Sequence, residues 1–506
     1  MPFEVLTPEE MAECDRRAIA AGPFDGFALM QRAGAAVAAL ILERFPAAAH
    51  IDVLCGPGNN GGDGYVVAEL LKRWGVEVAV YAEGAPRGGS DAALAAGKCT
   101  VAAQPLAAFT PRPDGLVVDA LFGAGLSRDV DGPVGRVIEL VAAAGVPVVA
   151  VDLPSGVSGG TGQVLGASFR ATLTVTFVRR KPGHLLQPGR SLCGEVVVVG
   201  IGIADEIVTS VGSTCFENGP DLWGGHLPRP SIDAHKYSRG HVAVFSGGAS
   251  ATGAARLSAM AAARIGAGAV TLLSPSEALA ANAAHLTSIM LRRADTLEAM
   301  LAFLEERQPA AIVYGPGLPP DAETGRMLFR LLGRWRKPAP AVVDASALTS
   351  LAGQPDLLAA PSGGRAGGLV ITPHEGEFSR LFPDLSKEKI PSKLERARLA
   401  ARRIDGVVVY KGPDTVIAAP DGRAAINTNG TPLLATAGSG DVLSGIIVGL
   451  LAQKMPAFEA ACVGVWIHAE AAGRFGPGLI AEDLPLALLP VLRGLHAGSV
   501  EISGSG

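Results

Sequence analysis

Short apolar runs alternate with longer segments of mixed polarity along most of the chain. In the first half the apolar runs lie at 51–55, 76–82, 115–123, 146–154 and 171–177. Each run has the length of a strand, and the segments between them are long enough for helices. This alternation predicts an α/β domain of the Rossmann-like type, in which a parallel sheet is the middle of three layers.

Two helices are predicted before the first of these strands. Thr7 is a favourable N-cap, Pro8 suits the first helical position, and Glu10 completes a capping-box pattern. A second helical segment covers 27–45. The chain therefore enters its first sheet only after two helices.

The alternation stops between 203 and 235 and then resumes. The stretch 217–233 is rich in Pro, Gly and Asn, which predicts a linker. Beyond it an Ala-rich helix is predicted at 253–267, and apolar runs lie at 241–247, 269–275, 310–318, 340–346, 368–377 and 407–418. We therefore predict two α/β domains, residues 1–215 and residues 225–498.

Composition narrows the class of protein. The 506 residues are 48% hydrophobic and 18% charged, which is typical of a globular chain, and the net charge of -5 provides no basic field for nucleic acid. Six Cys without a CxxC pair indicate reduced thiols rather than a zinc site or disulfide framework. The N-terminus lacks the pattern of a signal peptide, and no apolar run is long enough to cross a membrane. We expect a soluble cytoplasmic protein that binds neither nucleic acid nor membrane.

A Gly-rich segment at 56–64 follows the first strand and opens a helix. Gly56, Gly58 and Gly61 match the dinucleotide fingerprint, although a tight strand-to-helix turn is an alternative explanation for them. Asn59, Asn60 and Asp63 lie among these glycines. Exposed N–H groups at a helix N-terminus bind phosphate, so the segment is a candidate phosphate site.

Two acidic residues follow later strands of the same domain. Asp119 and Asp152 lie at strand C-termini, where ligands bind in open parallel sheets, although each could instead be a helix cap or turn residue. Asn60, Asp119 and Ser155 offer hard oxygens without the charge that a divalent ion demands, which favours a monovalent cation.

In the second domain the segment 436–453 has a Gly-rich turn that leads into an apolar helix. The N–H groups of Gly438, Ser439 and Gly440 could stabilise a phosphoryl group, and Asp441 could accept a proton from the attacking hydroxyl. A plain helix cap is the alternative for Asp441. Lys411 leaves a strand where a nucleotide phosphate could bind, whereas His374 is as easily a capping residue. No P-loop sequence is present.

The first half resembles the NAD(P)H-hydrate epimerase family. The resemblance rests on GPGNNGGDGYVVA, DALFGAGLSR, VDLPSG and TFVRRKPGH, in this order, over about residues 7–210. It implies that Asn60, Asp119 and Ser155 hold K⁺, that Asp152 is the acid/base residue, and that Lys181 lies near the site. It also implies that the hydrated dinucleotide contacts Asn59, Asn60, Gly61, Gly62, Asp63, Gly123, Ala124, Gly125, Leu126, Ser127, Arg128, Asp129 and Asp152.

The second half resembles the ADP/ATP-dependent NAD(P)H-hydrate dehydratase family, which has the ribokinase-like fold. The segments that carry the resemblance are HKYSRGHVAVFSGGASATGAA, YGPGL, VVDASAL, TPHEGE, KGPDTVIA and INTNGTPLLATAGSGDVLSG. It implies catalysis by Asp441, with Mg²⁺ and ADP or ATP as phosphoryl donor. The implied substrate contacts are Ala254, Gly317, His374 and Asp441, and the implied nucleotide contacts are Lys411, Gly412, Pro413, Asp414, Thr415 and Gly440. Ala437 and the stretch HKYSRG depart from the family pattern and leave the loop geometry open.

Together the two resemblances imply a bifunctional enzyme that acts on the hydrates of NADH and NADPH. One domain would interconvert the R and S epimers, and the other would dehydrate the S form after phosphorylating its hydroxyl. We further expect a homo-oligomer. Two alternatives remain at this point: a ribokinase-like small-molecule kinase with a nucleotide-sensing first domain, and a dinucleotide-binding scaffold without catalysis. A Rossmann dehydrogenase is disfavoured, because no hydride-transfer residues follow the fingerprint.

Overall fold

The computed structural model describes residues 3–229, 232–233, 235–335, 339–359 and 368–497. The chain divides into two compact units, one ending at Cys215 and the other beginning at Phe216. Each is a domain with its own sheet. The end predicted for the second domain, residue 498, lies outside the described residues.

The first domain is built on a seven-stranded parallel sheet of order β3-β2-β1-β4-β5-β6-β7. Its strands are β1 (His50–Cys55), β2 (Glu77–Ala82), β3 (Ala103–Pro105), β4 (Gly115–Ala120), β5 (Val148–Val151), β6 (Leu173–Phe177) and β7 (Glu195–Val199). The strand order reverses between β1 and β4, and ligands of such sheets bind beyond the strand C-termini at this reversal.

Helices cover both faces of this sheet. They are α1 (Pro8–Ala21), α2 (Gly26–Arg44), α3 (Asn59–Arg73), α4 (Asp91–Lys98), α5 (Gly132–Ala144), α6 (Pro182–Leu185), α7 (Gly189–Leu192) and α8 (Asp205–Val211), with a 3₁₀ turn at Leu106–Ala108. The predicted capping box of α1 is confirmed. Thr7 Oγ1 accepts a hydrogen bond from the Glu10 N–H, and Glu10 Oε2 accepts one from the Thr7 N–H. By length and composition α2 could cross a membrane, but Val37, Ala38 and Ile41 on its inner face are fully buried in the domain core.

The second domain has a ten-stranded sheet of order β11-β10-β9-β12-β13-β14-β15-β16-β17-β8. Its strands are β8 (Cys215–Asn218), β9 (His241–Phe245), β10 (Ala269–Ser274), β11 (Met290–Arg293), β12 (Ala311–Tyr314), β13 (Ala341–Val343), β14 (Leu369–Ile371), β15 (Val407–Tyr410), β16 (Val416–Ala418) and β17 (Ala424–Asn427). Strands β9 to β15 pair in parallel, and β16 pairs antiparallel with both β15 and β17.

The helices of this domain are α9 (Pro220–Trp223), α10 (Thr252–Arg264), α11 (Leu279–Ala283), α12 (Leu297–Arg307), α13 (Ala322–Arg334), α14 (Ser346–Ser350), α15 (Glu375–Leu381), α16 (Lys393–Ile404), α17 (Ser439–Ala452), α18 (Ala457–Phe475) and α19 (Leu484–Ala497). Short 3₁₀ turns lie at Gly224–His226, Ser276–Ala278, Pro355–Leu357 and Pro432–Leu434.

Helix α17 is the centre of the second domain, because every residue from Val442 to Ala452 is buried. It packs closely on α10, where a Cβ on Gly445 would lie 2.2 Å from the Ser258 carbonyl oxygen. Glycine at the contact lets the two backbones approach. This packing determines where the first turn of α17, which carries Asp441, lies relative to the sheet.

The linker prediction is wrong in its central part, and so is the predicted start of the second domain at 225. Strand β8 and helix α9 belong to the second domain. Trp223 is fully buried, meets the Trp466 ring at 5.6 Å and donates to Asn218, which in turn donates to Asn427. The turn-rich composition could not indicate the contacts with Asn427 and Trp466, because these two residues lie more than two hundred positions further along the chain.

The rest of the predicted architecture is confirmed. Every predicted apolar run contains a strand at the expected place, and the two α/β domains have predominantly parallel sheets. The edge strands β3, β7, β8 and β11 and the four-residue strand β17 escaped prediction. They are short or largely exposed, so the hydrophobic pattern marks them weakly.

Candidate functional site

In the first domain the chain turns sharply at Asp152, directly after β5. The Leu153 N–H donates to the Val151 carbonyl at 2.8 Å, and Asp152 between them has a φ of 64°. A γ-turn with a non-glycine residue at positive φ costs on the order of 1–3 kcal/mol and is typical of functional sites. The turn places the Asp152 carboxylate at the C-terminal edge of the sheet.

Both carboxylate oxygens of Asp152 are held by donors. Oδ1 accepts from Lys181 Nζ at 2.7 Å and from Thr176 Oγ1 at 2.9 Å, and Oδ2 accepts from the Ala124 N–H at 3.0 Å. Burial opposes ionisation, but the Lys181 ammonium and these hydrogen bonds outweigh it and lower the pKa of Asp152 to about 2. Asp152 is therefore an ionised carboxylate near neutral pH.

Lys181 is only 2% exposed and is held in place from several directions. Its Nζ also donates to Thr176 Oγ1, and its N–H donates to Nδ1 of His184. Because Nδ1 accepts, the proton of the neutral ring lies on Nε2, which donates to the Asp152 carbonyl at 2.7 Å. Burial, with a further effect of Lys181, lowers the pKa of His184 to about 4, so this ring stays neutral near pH 7. Lys181 is thus a buried member of this cluster rather than an exposed loop charge.

A cavity of about 640 Å³ opens beside this ion pair at the strand-order reversal. The predicted residues that line it are Asn59, Asn60, Asp63, Gly123, Ala124, Gly125, Leu126, Ser127, Arg128, Asp152 and Lys181. Gly61, Gly62 and Asp129 are not among the lining residues. A Cβ on Gly61 would lie 1.8 Å from the Gly56 carbonyl oxygen, so this glycine allows a tight turn as well as a binding loop.

The first turn of α3 faces this cavity. Helix α3 begins at Asn59, and its N-cap, Gly58, makes no side-chain capping bond. Its first N–H groups therefore lack intrahelical acceptors and are suited to an anion.

Two of the three predicted cation ligands are in direct contact. Asp119 is fully buried and accepts from the Ser155 N–H at 2.7 Å and from Ser155 Oγ at 2.6 Å. Asn60 lies next to Gly123, where a Cβ would lie 3.3 Å from Asn60 Oδ1, and its buried Nδ2 has no partner among the described residues. The oxygen and nitrogen of a side-chain amide can exchange positions, and the Asn60 oxygen placed at this unpartnered position could ligate a cation. The donor set therefore fits a monovalent ion.

Asp15 is a cavity residue that the sequence interpretation missed. It lies on α1, is half-buried and lines the cavity together with Asp152 and Asp63. Burial raises the pKa of Asp15 to about 6, Lys181 opposes this rise, and Asp152 adds to it. Nothing in the hydrophobic pattern separates Asp15 from the exposed acids of the same helix, so only the tertiary structure identifies it.

In the second domain the first turn of α17 forms the other candidate site. Gly438 adopts a φ of 89° before the helix, and Ser439 Oγ donates to the Leu434 carbonyl at 2.8 Å. A Cβ on Gly440 would lie 3.4 Å from Lys411 Nζ. The structure therefore brings Lys411 and Gly440 together, as predicted for a nucleotide-phosphate site.

Lys411 is paired with a carboxylate that sequence interpretation did not select. Its Nζ lies 3.2 Å from Asp344 Oδ1 and 3.9 Å from Glu377 Oε2. Asp344 is 1% exposed, and its other oxygen accepts from Ser444 Oγ on α17. Burial alone would lower the pKa of Lys411, but the two carboxylates outweigh it and raise this pKa. Asp344 therefore ties β13, β15 and α17 together beneath the site.

Asp441 is in a different electrostatic environment from Asp344. It lies in the first turn of α17 and forms no ion pair within 4 Å in the described part of the chain. Burial raises the pKa of Asp441 to about 7, and the Asp344 and Glu377 carboxylates add to the rise against the effect of Lys411. A carboxylate with this pKa is suited to accept a proton near neutral pH.

The remaining predicted residues of the second domain lie around the same sheet edge. A Cβ on Gly317 would lie 3.5 Å from Ala254 Cβ, so the loops after β9 and β12 meet where the strand order reverses. His374 is exposed and is the N-cap of α15, since its Nδ1 accepts from the Gly376 N–H at 3.0 Å.

In the loop at 411–415 the acidic side chain of Asp414 is turned inward, so a ligand of this loop would meet its backbone instead. Asp414 is buried and accepts from Lys393 Nζ at 2.6 Å, while Thr415 Oγ1 donates to the Gly412 carbonyl. In the ranges the structure describes, no group of three or more His, Cys, Asp or Glu side chains gathers as a metal site.

Comparisons with known proteins agree with this division. Residues 26–183 match the family model described as YjeF-related protein N-terminus, and residues 242–486 match the model described as NAD(P)H-hydrate dehydratase. The second domain is also similar to the crystal structure of an ADP/ATP-dependent NAD(P)H-hydrate dehydratase from Bacillus subtilis. The identity is 28%, the coverage is 55% of this chain and 98% of that chain, and the TM-score is 0.48.

Three bifunctional NAD(P)H-hydrate repair enzymes are similar along almost their whole length. The Coxiella burnetii enzyme is 35% identical over 94% of this chain and 96% of its own. The enzyme from Moorella thermoacetica is 37% identical, with 97% of each chain covered, and that from Escherichia coli is 34% identical over 96% and 93%. This chain therefore belongs to the family of bifunctional NAD(P)H-hydrate repair enzymes.

Proposed function

We propose that this chain repairs hydrated NADH and NADPH in two steps. The first domain interconverts the R and S epimers at the hydroxyl-bearing carbon of the nicotinamide ring. The second domain dehydrates the S form at the expense of an adenine nucleotide and releases phosphate. The observation that carries the proposal is the presence of two separate lysine–carboxylate sites, each in a region matched by one of the two family models.

In the first site the hydrated dinucleotide would bind with its phosphates at the N-terminus of α3. Asn59, Asn60, Gly61, Gly62, Asp63 and the loop 123–129 would surround it, and the Asp152–Lys181 pair would lie beside the ring. The free first-turn N–H groups and the lining of the cavity support this assignment.

Potassium would be held by Asn60, Asp119 and Ser155. The hard oxygens of Asp119 and Ser155 support this choice, as does the unpartnered amide position of Asn60, where its exchanged oxygen could ligate the ion. The ion would supply positive charge close to the bound phosphates. Replacing K⁺ by a large organic cation should weaken substrate binding to this site, which titration calorimetry can measure.

In the second site the loop 411–415 and Gly440 would bind ADP or ATP, and Ala254, Gly317, His374 and Asp441 would contact the hydrate. Mg²⁺ would enter with the nucleotide as part of the phosphoryl donor. Asp441 removes the proton from the ring hydroxyl, whose oxygen attacks the terminal phosphorus as the bond from that phosphorus to the rest of the nucleotide breaks. Phosphate then leaves with its C–O bonding electrons, and the lone pair of the ring nitrogen assists its departure. The iminium formed in this way loses a proton from the adjacent ring carbon to the departing phosphate, which restores the ring double bond.

Two further expectations belong to the proposal. Reduced thiols support a cytoplasmic location, since all six cysteines are unpaired. The exposed apolar side chains Phe475, Ile480 and Leu486 support a homo-oligomer, which light scattering of the purified protein can test.

One assay tests the whole proposal. Mixed-epimer NADH hydrate is incubated with protein, Mg²⁺, K⁺ and either ADP or ATP, while absorbance in the reduced-nicotinamide band and free phosphate are followed. Complete recovery of NADH with equimolar phosphate is the expected result, and it also shows which nucleotide is used. Recovery that stops at the S fraction would contradict the epimerase, and a stable phosphorylated product would instead indicate a small-molecule kinase.

A further inference from the structure

Two of the carboxylates that line the cavity of the first domain differ in their hydrogen bonding. Asp152 accepts three hydrogen bonds, one of them from a buried lysine. Asp15, which lines the same cavity from α1, forms no hydrogen bond or ion pair with any described residue. The two residues therefore differ in what they can do for a bound substrate.

A carboxylate in the position of Asp152 is poorly placed to carry protons. To accept one it would have to give up part of its ion pair with Lys181 or the bonds from Thr176 and Ala124. Its hydrogen bonds suit it to remain charged and to orient the ring. Asp15 has no such bonds to lose.

We propose that Asp15 is the general acid–base residue of epimerisation, and that Asp152 and Lys181 act as stationary charges that orient the ring. This assignment rests on the proposed epimerase function of the first domain. It adds a catalytic role to a residue outside the glycine-rich loops.

The reaction needs only one residue to move a proton. The Asp15 carboxylate takes the proton of the ring hydroxyl, and the oxygen forms a C=O bond as the bond from that carbon to the ring nitrogen breaks. The electron pair of the broken bond goes to the nitrogen, which takes the same proton back from Asp15. Rotation about the neighbouring C–C bond turns the other face of the aldehyde to the nitrogen, and the reverse steps close the ring as the opposite epimer. No oxidant, reductant or water is consumed.

The surroundings of Asp15 suit this role. The charged groups that interact with it are Asp152 and Lys181 at the sheet edge, Asp63 on α3 and Arg16 on its own helix. Asp91 on α4 and Arg128 in the loop after β4 line the same cavity. Burial, opposed by Lys181 and reinforced by Asp152, raises the pKa of Asp15 to about 6. Both protonation states are then within reach near neutral pH, which proton transfer in both directions requires.

The test compares Asp15→Asn with Glu9→Gln, which removes a carboxylate from an exposed position of the same helix. Purified R hydrate is incubated without nucleotide, and the two epimers are separated by chromatography. Asp15→Asn should slow interconversion by about 100-fold or more, measured above the rate without protein. Glu9→Gln should leave it unchanged, and both variants should dehydrate S hydrate normally when nucleotide is added.

A pH profile separates a catalytic from a structural role. The wild-type kcat/KM for epimerisation should fall as pH decreases through about 6, because Asp15 becomes protonated. Asp15→Glu should keep a titrating rate, whereas the residual rate of Asp15→Asn should lose this inflection. Wild-type interconversion by Asp15→Asn, or a profile that keeps its inflection, overturns the proposal. If the wild type dehydrates S hydrate but never interconverts the epimers, the epimerase function itself is wrong.

Discussion

The two candidate sites contain the same pair of residue types but connect them differently. In the first domain the buried lysine, Lys181, pairs with Asp152, the acid at the end of β5. In the second domain Lys411 pairs with Asp344 and leaves Asp441 without an ion pair among the described residues. The pKa of Asp152 is accordingly lowered to about 2, whereas that of Asp441 is raised to about 7.

This difference shows that the partner of the lysine decides which carboxylate can transfer protons. A paired carboxylate keeps its charge and orients, while a buried unpaired one has a pKa close to the working pH. Asp344 is thus the counterpart of Asp152, and Asp441 is the counterpart of Asp15. In our proposal the acid that stands next to a glycine-rich turn, Asp441, transfers the proton in the second domain, whereas in the first domain an acid on α1, Asp15, does so.

The largest effect is expected from removing the unpaired acid of the second site. Asp441→Asn keeps the shape of the side chain but cannot take the hydroxyl proton, so dehydration should fall by about 10²–10⁴-fold. Epimer interconversion should persist, because it takes place in the other domain. Phosphate release from S hydrate and nucleotide measures the loss. Glu298→Gln on the exposed face of α12 is the control, and normal dehydration by Asp441→Asn would contradict the assignment.

The next effect concerns the paired acid of the first site. Asp152→Ala removes the charge opposite Lys181 and leaves a buried ammonium without its carboxylate, so epimerisation should fall by about 100-fold. The variant should repair S hydrate and leave R hydrate behind. Chromatography of the remaining hydrate after complete turnover measures this. Repair of both epimers at the normal rate would show that Asp152 has no part in the reaction.

A smaller effect should appear as a shift in pH dependence. Asp441 must be deprotonated to act as a base, so the dehydration rate should rise as pH increases through about 7. Asp344→Asn removes a negative charge that raises the pKa of Asp441, and the inflection should therefore move to lower pH. Ser444→Ala removes the hydrogen bond to Asp344 but no charge. If both variants shift the inflection equally, the electrostatic explanation is wrong.

The smallest effects come from the packing beneath each site. A Cβ on Gly445 would lie 2.2 Å from a carbonyl oxygen of α10, and one on Gly64 would lie 2.6 Å from Ala120 Cβ. Each Gly→Ala change should lower the free energy of unfolding of its own domain by about 1–3 kcal/mol. Heat inactivation of the two activities, followed separately, should show each variant affecting only one of them.

The sequence predicted the parts of the sites that depend on chain-local patterns. The glycine-rich turns before α3 and α17 are recognisable, because a strand, a tight turn and a helix N-terminus follow one another directly. The same holds for Asp152 and Lys411, which end strands. Asp15 and Asp344 could not be recognised as site residues from such local patterns. Their importance comes from the charges that face them, and those charges lie far away along the chain.

The sequence by itself determined the two α/β domains, the positions of their central strands along the chain and the loops that form the sites, because periodicity and turn chemistry act over a few residues. Only the tertiary structure decided that residues 216–223 belong to the second domain, and which lysine pairs with which acid. Burial and charge pairing are properties of neighbours in space. The pKa values that separate the stationary carboxylates from the proton carriers therefore arise only when the sheets have brought those neighbours together.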